Sequence, residues 1–138
     1  MKRFKDIKQF GDMTGQTYNK GISLIDTKLT SLEGAPIKIM GSFYCYDNLL
    51  TSLEFAPKYI VGTFSFGGNQ IENPKEEIIK HQVRAIKYST DKGIFDFKEI
   101  EKDFNEFEKL NSVKSKGFRT LLGLEGGKWN LKIQNLVI

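Results

Sequence analysis

The chain has 138 residues, 39% hydrophobic, 12% aromatic and 28% charged, with a net charge of +4. That balance suits one folded domain, or one domain with a small appendage, and excludes a disordered chain. With one cysteine, Cys45, and one histidine, His81, an intrachain disulfide, a multi-cysteine zinc site and a paired-histidine metal site are all excluded.

No apolar run approaches the roughly 20 residues needed to cross a bilayer, and Met1-Lys2-Arg3-Phe4-Lys5-Asp6 lacks the apolar stretch of a secretory leader. The expectation is a cytoplasmic protein with no membrane association. Charge is unevenly placed. Residues 1–28 carry six basic and three acidic side chains, 29–70 two and three, and 71–138 thirteen and eleven. Within the last part, 111–138 holds five basic residues against one acid. Such a mild excess attracts anionic partners only weakly.

Residues 1–21 read as an N-terminal cap segment leading into a repeat. Leu29-Thr30-Ser31-Leu32-Glu33-Gly34-Ala35-Pro36 returns as Leu50-Thr51-Ser52-Leu53-Glu54-Phe55-Ala56-Pro57, and eleven of the 21 positions of 29–49 and 50–70 are identical. A period of 20–29 residues with apolar and Asn positions in fixed phase marks a leucine-rich-repeat solenoid. The fold class expected is α/β (α+β): a solenoid of about three turns over 22–74, followed by a helical C-terminal region over 75–138.

In phase, the strand cores are Ile22-Ser23-Leu24, Phe43-Tyr44-Cys45 and Phe64-Ser65-Phe66. Alternation points Ile22, Leu24, Phe43, Cys45, Phe64 and Phe66 inward, which makes Cys45 a small core residue rather than a nucleophile. Thr27, Asn48 and Asn69 follow each strand, where an Asn side chain can satisfy loop backbone groups. Gly41 and Gly62 precede the strands as tight turns. Pro36 and Pro57 set an extended convex path. Ile39 and Ile60, with Met40 and Val61, are expected to close the core there. The outward residues are Ser23, Ile25, Ser42, Tyr44, Tyr46, Thr63, Ser65 and Gly67. Tyr44 and Tyr46 stand together on an otherwise small, polar face, and Tyr buries large area at low entropic cost. Ser42, Tyr44, Tyr46, Thr63 and Ser65 are therefore the candidate partner-binding residues.

The C-terminal half opens with Asn73-Pro74-Lys75-Glu76, a helix start with Asn73 as N-cap and Glu76 closing a capping box. Ile79, Val83 and Ile86 form its apolar stripe, and His81 lies off it. Tyr88 to Gly93 carries turn signals. Asp96 caps a second helix with Glu99 three residues on, and Phe97, Ile100, Phe104, Phe107 and Leu110 share its inner face. Lys114, Lys116 and Arg119 flank a short apolar segment, and with Lys128 and Lys132 they are candidate phosphate contacts on a nucleic acid, aided by Trp129. Trp129 to Ile133 alternates like a strand, and Leu136-Val137-Ile138 is strongly apolar.

The block Gly41-Ser42-Phe43-Tyr44-Cys45-Tyr46-Asp47-Asn48-Leu49-Leu50-Thr51-Ser52-Leu53-Glu54, with Ala56-Pro57, resembles the leucine-rich-repeat proteins of large tailed bacteriophages. Their tandem units have the form Gly-x-Phe-x-Cys-x-x-Asn-x-Leu-Thr-Ser-Leu-Glu-Gly-Ala-Pro. The resemblance covers about 22–74 and, more weakly, 73–79 and 116–124. Phe66 stands where the pattern has Cys, and Phe55 where it has Gly. Met1 to Ile7 is similar to short leaders that direct phage proteins into the prohead, although those end at Leu-x-Glu or Ile-x-Glu and the first glutamate here is Glu33. What the resemblance implies is a phage protein acting in the host bacterial cytoplasm.

The functional expectation is a non-enzymatic protein-interaction module binding a host bacterial protein, interference with antiviral defence being one purpose. Alternatives are a basic nucleic-acid-binding phage protein or a packaged virion protein. An enzyme would need clustered carboxylates, for which Asp96, Glu99 and Asp103 are the nearest arrangement; the reading adopted is no catalytic residue, no cofactor and no metal. The exposed ends of so short a solenoid also allow a homodimer.

Overall fold

The structure, a computed structural model, describes residues 6–112 together with 124–125 and 128–129. The elements in chain order are a 3-10 helix Ile7–Phe10, β1 (Thr17–Tyr18), β2 (Ile22–Ser23), β3 (Lys38–Ile39), β4 (Phe43–Tyr44), β5 (Tyr59–Ser65), α1 (Pro74–Lys80), β6 (Arg84–Thr90), β7 (Gly93–Asp96), α2 (Phe97–Ser112), β8 (Leu124–Glu125) and β9 (Lys128–Trp129). β1 to β6 are parallel in solenoid winding, about three turns deep, with β7 added antiparallel to β6; α1 lies between β5 and β6, and α2 follows β7. β8 and β9 pair as a separate antiparallel hairpin.

Each turn contributes two short strand pieces. Thr17, Lys38 and Tyr59 are in register along one ladder, and Ile22, Phe43 and Phe64 along the other. These partners lie 21 residues apart, so the sequence period is the winding period. In the third turn the two pieces fuse into the single strand β5. The corner between them is tight: a Cβ on Gly41 would fall 2.6 Å from the Gly21 backbone nitrogen. Only glycine lets successive turns approach so closely.

The core is a stack of in-phase side chains. Ile39, Phe43, Cys45, Ile60, Phe64 and Phe66 are buried, as are Leu29, Leu32, Leu50 and Leu53 from the opposite wall. Phe43 and Phe64 stack face to face, with centroids 5.5 Å apart and planes 3° from parallel. Burial of this kind contributes about 1.5–3 kcal/mol for each large apolar side chain. At the N-terminal side, Ile7 is fully buried, and the Ile7 and Lys8 N–H groups both donate to the Glu33 carbonyl.

Two expectations are corrected. The apolar spacing Ile79–Val83–Ile86 does not continue a helix. α1 stops at Lys80, Val83 N–H donates to the Ile78 carbonyl and Gln82 N–H to that of Ile79, and Gln82 sits at φ 55. This is a Schellman stop with glutamine where glycine is usual. The chain then enters β6, parallel to β5, with Phe64 beside Tyr88. The open edge of β5 offers a full row of backbone partners, and Val83, Ile86, Tyr88 and Thr90 suit a strand. Tyr88 is therefore in a strand, and the turn is confined to the link between β6 and β7. Likewise Met40 and Val61 do not close the core; they are 45% and 52% exposed. The strand alternation runs through the corner and sends Ile39 and Ile60 inward instead.

The step from β5 to β6 is longer than the repeat. Tyr59 pairs with Arg84 and Thr63 with Lys87, offsets of 25 and 24 residues, with an irregularity between Ile60 and Thr63. The extra length holds α1. Asn73 makes no side-chain cap, but its carbonyl accepts from Glu77 N–H. α2 buries Ile100, Phe104 and Phe107 in the same core, and Phe97 packs edge-on against Phe104 at 5.0 Å.

Candidate functional site

The outward residues of the strands form one surface. In β5, Tyr59, Val61, Thr63 and Ser65 alternate with buried Ile60 and Phe64. By register, Lys38 and Arg84 flank Tyr59, and Ser23 and Ser65 flank Tyr44. The face thus has two halves. Around Tyr44 and Tyr46 it is small and polar. Around Tyr59 it is mixed, with exposed Met40, Val61 and Ile86, the last 66% exposed, beside Lys38 and Arg84.

Tyr44 and Tyr46 meet edge to face, with ring centroids 6.5 Å apart and planes at 78°. Tyr44 is exposed and Tyr46 half-buried. Thr63 and Ser65 lie beside them on β5, half-buried. Ser42 belongs partly to the scaffold, since its Oγ accepts from Thr63 N–H at 3.0 Å, next to the point where β5 shifts register against β6. Of the sheet-face candidates, Tyr44 is exposed, and Tyr46, Thr63 and Ser65 are half-buried.

Beneath this face, Asn48 and Asn69 hold the strands' exits. Asn48 is 5% exposed; its Oδ1 accepts from Thr27 N–H (2.8 Å), Leu29 N–H (3.0 Å) and the Thr27 hydroxyl (3.1 Å). Its Nδ2 donates to the carbonyls of Leu24, Cys45 and Tyr46. Asn69 repeats this one turn on, accepting from Leu50 N–H and donating to Cys45, Phe66 and Gly67 carbonyls. Asp91 supplies the next rung with a bond from Gly68 N–H. Cys45 lies under the tyrosines, fully buried, and burial pushes its thiol well above the ordinary value, so it is no nucleophile there.

Two polar anchors were not legible in the sequence. Tyr88 is fully buried; its hydroxyl donates to the Val83 carbonyl at 2.6 Å and accepts from Ala85 N–H at 3.0 Å. Burial raises its ionisation beyond the ordinary tyrosine range. Glu77 reaches from α1 to the solenoid, accepting from Leu53 N–H at 2.8 Å, with His81 Nε2 at 3.3 Å. Burial alone would push this carboxyl up. The hydrogen bonds from His81 and Leu53 and the nearby charges of His81 and Lys80 outweigh it and hold the carboxyl below its usual value. The Lys58 ammonium donates to the His81 carbonyl at 2.7 Å, at the end of the same helix.

Among the described residues, no three His, Cys, Asp or Glu side chains form a group that could hold a metal ion. Asp96 and Glu99 are tied together at the start of α2, Asp96 N–H donating to Glu99 Oε1 at 3.4 Å. Lys128 lies in β9, while Lys114, Lys116, Arg119 and Lys132 lie outside the described residues. No helix among the described residues is long and apolar enough to cross a membrane. Compared with family models, characterised proteins and solved structures, the chain matches none.

Proposed function

We propose that this chain is a non-enzymatic protein-interaction module whose outward sheet face binds another protein. The observation that carries the reading is the Tyr44–Tyr46 pair, set edge to face on a sheet whose neighbouring outward residues are serine and threonine. Two rigid aromatic rings with polar tips, flanked by small side chains, form a low-entropy anchor for a partner. The scaffold under them is fixed by the Asn48 and Asn69 hydrogen bonds, so little ordering is needed on binding.

The further reading is a leucine-rich-repeat solenoid of phage type, with α1 and α2 as its C-terminal cap, acting on a host bacterial protein in the host cytoplasm. It is supported by the 21-residue period and by the resemblance of the Gly41–Pro57 block to phage repeats. The test is affinity capture from bacterial lysate, comparing the native chain with a Tyr44→Ala/Tyr46→Ala double variant of unchanged circular dichroism. One reproducible protein retained by the native chain and lost by the variant is expected. Equal retention by both removes the tyrosine face as the site.

A further inference from the structure

The sheet ends on an open edge. Among the described residues β7 bonds only to β6, so its far side carries backbone groups without strand partners. β1 and β2, at the other end of the sheet, are open too, but each is two residues long; β7, with four, is the longer run. Asp96 N–H is turned away from β6, since Glu99 Oε1 accepts it at 3.4 Å. Backbone groups two residues apart in a strand point the same way, so Ile94 N–H and C=O also face the open side. The Ile94 side chain is the most exposed large apolar group among the described residues, at 68%. An isoleucine on such an edge is the opposite of the charged residue that usually guards one.

The charges at the two ends of β7 identify what fits this edge. Lys92 precedes the strand and Asp96 ends it. Asp96 has Lys87 opposite it on β6, yet neither Asp96 nor Lys92 enters a salt bridge among the described residues. If β7 pairs antiparallel with its own copy about a two-fold axis at Ile94, isoleucine meets isoleucine and each Lys92 faces Asp96 of the other copy. An axis at Phe95 would instead set Ile94 against Asp96. The pattern Lys-x-Ile-x-Asp is thus self-complementary in one register. We propose that two copies of this chain pair antiparallel through β7, with the axis at Ile94 and a Lys92–Asp96 ion pair at each end of the joint. Such an interface is isologous and closes at two copies. Ile94 N–H and C=O exchange hydrogen bonds with their symmetry mates, and the two sheets become one. Tyr44, Ser65, Ser89 and Ile94 lie in one row within a chain, so the two Tyr44 side chains stand seven strand spacings apart, about 34 Å, on the same face. The dimer stands whatever the tyrosines bind.

The experiment is sedimentation equilibrium of the full chain at concentrations up to about 1 mM. It compares the native chain with Ile94→Lys, Lys92→Glu, Asp96→Lys and an equal mixture of the last two. The native chain is expected to pass reversibly from the 15.8 kDa of one chain to twice that mass and no further. Ile94→Lys changes an exposed side chain and sets two lysines on the axis, so it should stay at one chain. Lys92→Glu and Asp96→Lys each bring like charges together twice per dimer and should weaken it about ten-fold or more. Mixed, the two variants face each other with opposite signs and should restore pairing. Should Asp96→Lys disturb the start of α2, as read by circular dichroism, Ile94→Lys decides alone. A native chain that stays single at every concentration overturns the proposal, as does a mass that keeps growing past two copies. So does a dimer that survives Ile94→Lys, or a mixture of folded charge variants that pairs no better than either alone.

Discussion

Replacement of Asn48 by alanine removes six hydrogen bonds, but their losses are unequal. The Leu24 carbonyl retains the Thr27 hydroxyl, the Cys45 carbonyl retains Asn69 Nδ2, and the Tyr46 carbonyl retains Asp26 N–H. The Thr27 and Leu29 N–H groups have no such second acceptor among the described residues. At about 1–3 kcal/mol for each buried orphan, Asn48→Ala should cost about 4 kcal/mol, less where water reaches half-buried Thr27. That is a large share of the roughly 5–15 kcal/mol that holds a domain folded. Asn69→Ala strands the Leu50 N–H and the Phe66 carbonyl, but the site is half-buried, so water can replace the lost partners and the cost should be smaller. Asn48→Asp keeps the acceptor bonds but turns an oxygen toward three carbonyls, so it should cost at least as much as alanine. Urea unfolding followed by circular dichroism measures all three, with an unchanged denaturant slope showing that the same cooperative unit unfolds. An Asn48→Ala cost no greater than that of Asn69→Ala, or an aspartate variant as stable as the native chain, would refute this account.

Phe55 is held at φ 70, where its in-phase counterpart is Gly34 at φ 100, and left-handed backbone costs about 1–2 kcal/mol for a residue with a Cβ. Since Phe55 is half-exposed, Phe55→Gly should raise the melting temperature, the strain relief exceeding the added chain entropy of glycine; a fall of more than a few degrees would show that Phe55 packs usefully. Tyr88→Phe should destabilise by about 2 kcal/mol, because Val83 and Ala85 lose a shared buried partner, and a urea midpoint matching the native one would contradict that. Glu77 has a carboxyl held below its ordinary 4.5 in the folded chain. Its contribution is therefore complete above that pH and is lost as pH falls through the folded value. The native chain should lose stability on acidification below pH 4.5 more steeply than Glu77→Gln, measured by urea midpoints across the acid range; parallel curves would discount the linkage.

The repetitive part of the fold was legible because its chemistry recurs in phase. Phe43 and Phe64, Leu29 and Leu50, and Asn48 and Asn69 each announce a position twice, and a 21-residue period with strand alternation leaves little choice of face. Legibility failed where the period changed. Val83 and Ile86 fit a helical stripe in isolation, and the strand outcome depends on the open β5 edge, a partner distant in sequence. The stop at Gln82 lacked its usual glycine signal. The mixed half of the sheet face was misassigned because Met40 and Val61 are β-edge and core residues by type alone. Their outward direction follows from continuity of the strand around Gly41 and Gly62. Tyr88 and Glu77 were invisible because their partners are backbone groups, which carry no sequence label.

The equal spacing of the first turns has a bearing on how such a protein could lengthen. Because residues 29–49 and 50–70 are interchangeable in register, duplication of one unit would insert a whole rung, with its own phenylalanine, asparagine and glycine corner already matched to those above and below. The sheet would grow by about 4.8 Å per copy. Each copy would import two or three fresh outward positions, open to variation without disturbing the stack behind them. The 24- and 25-residue step at α1 breaks that interchangeability, so growth of this kind is confined to the stretch before Pro74.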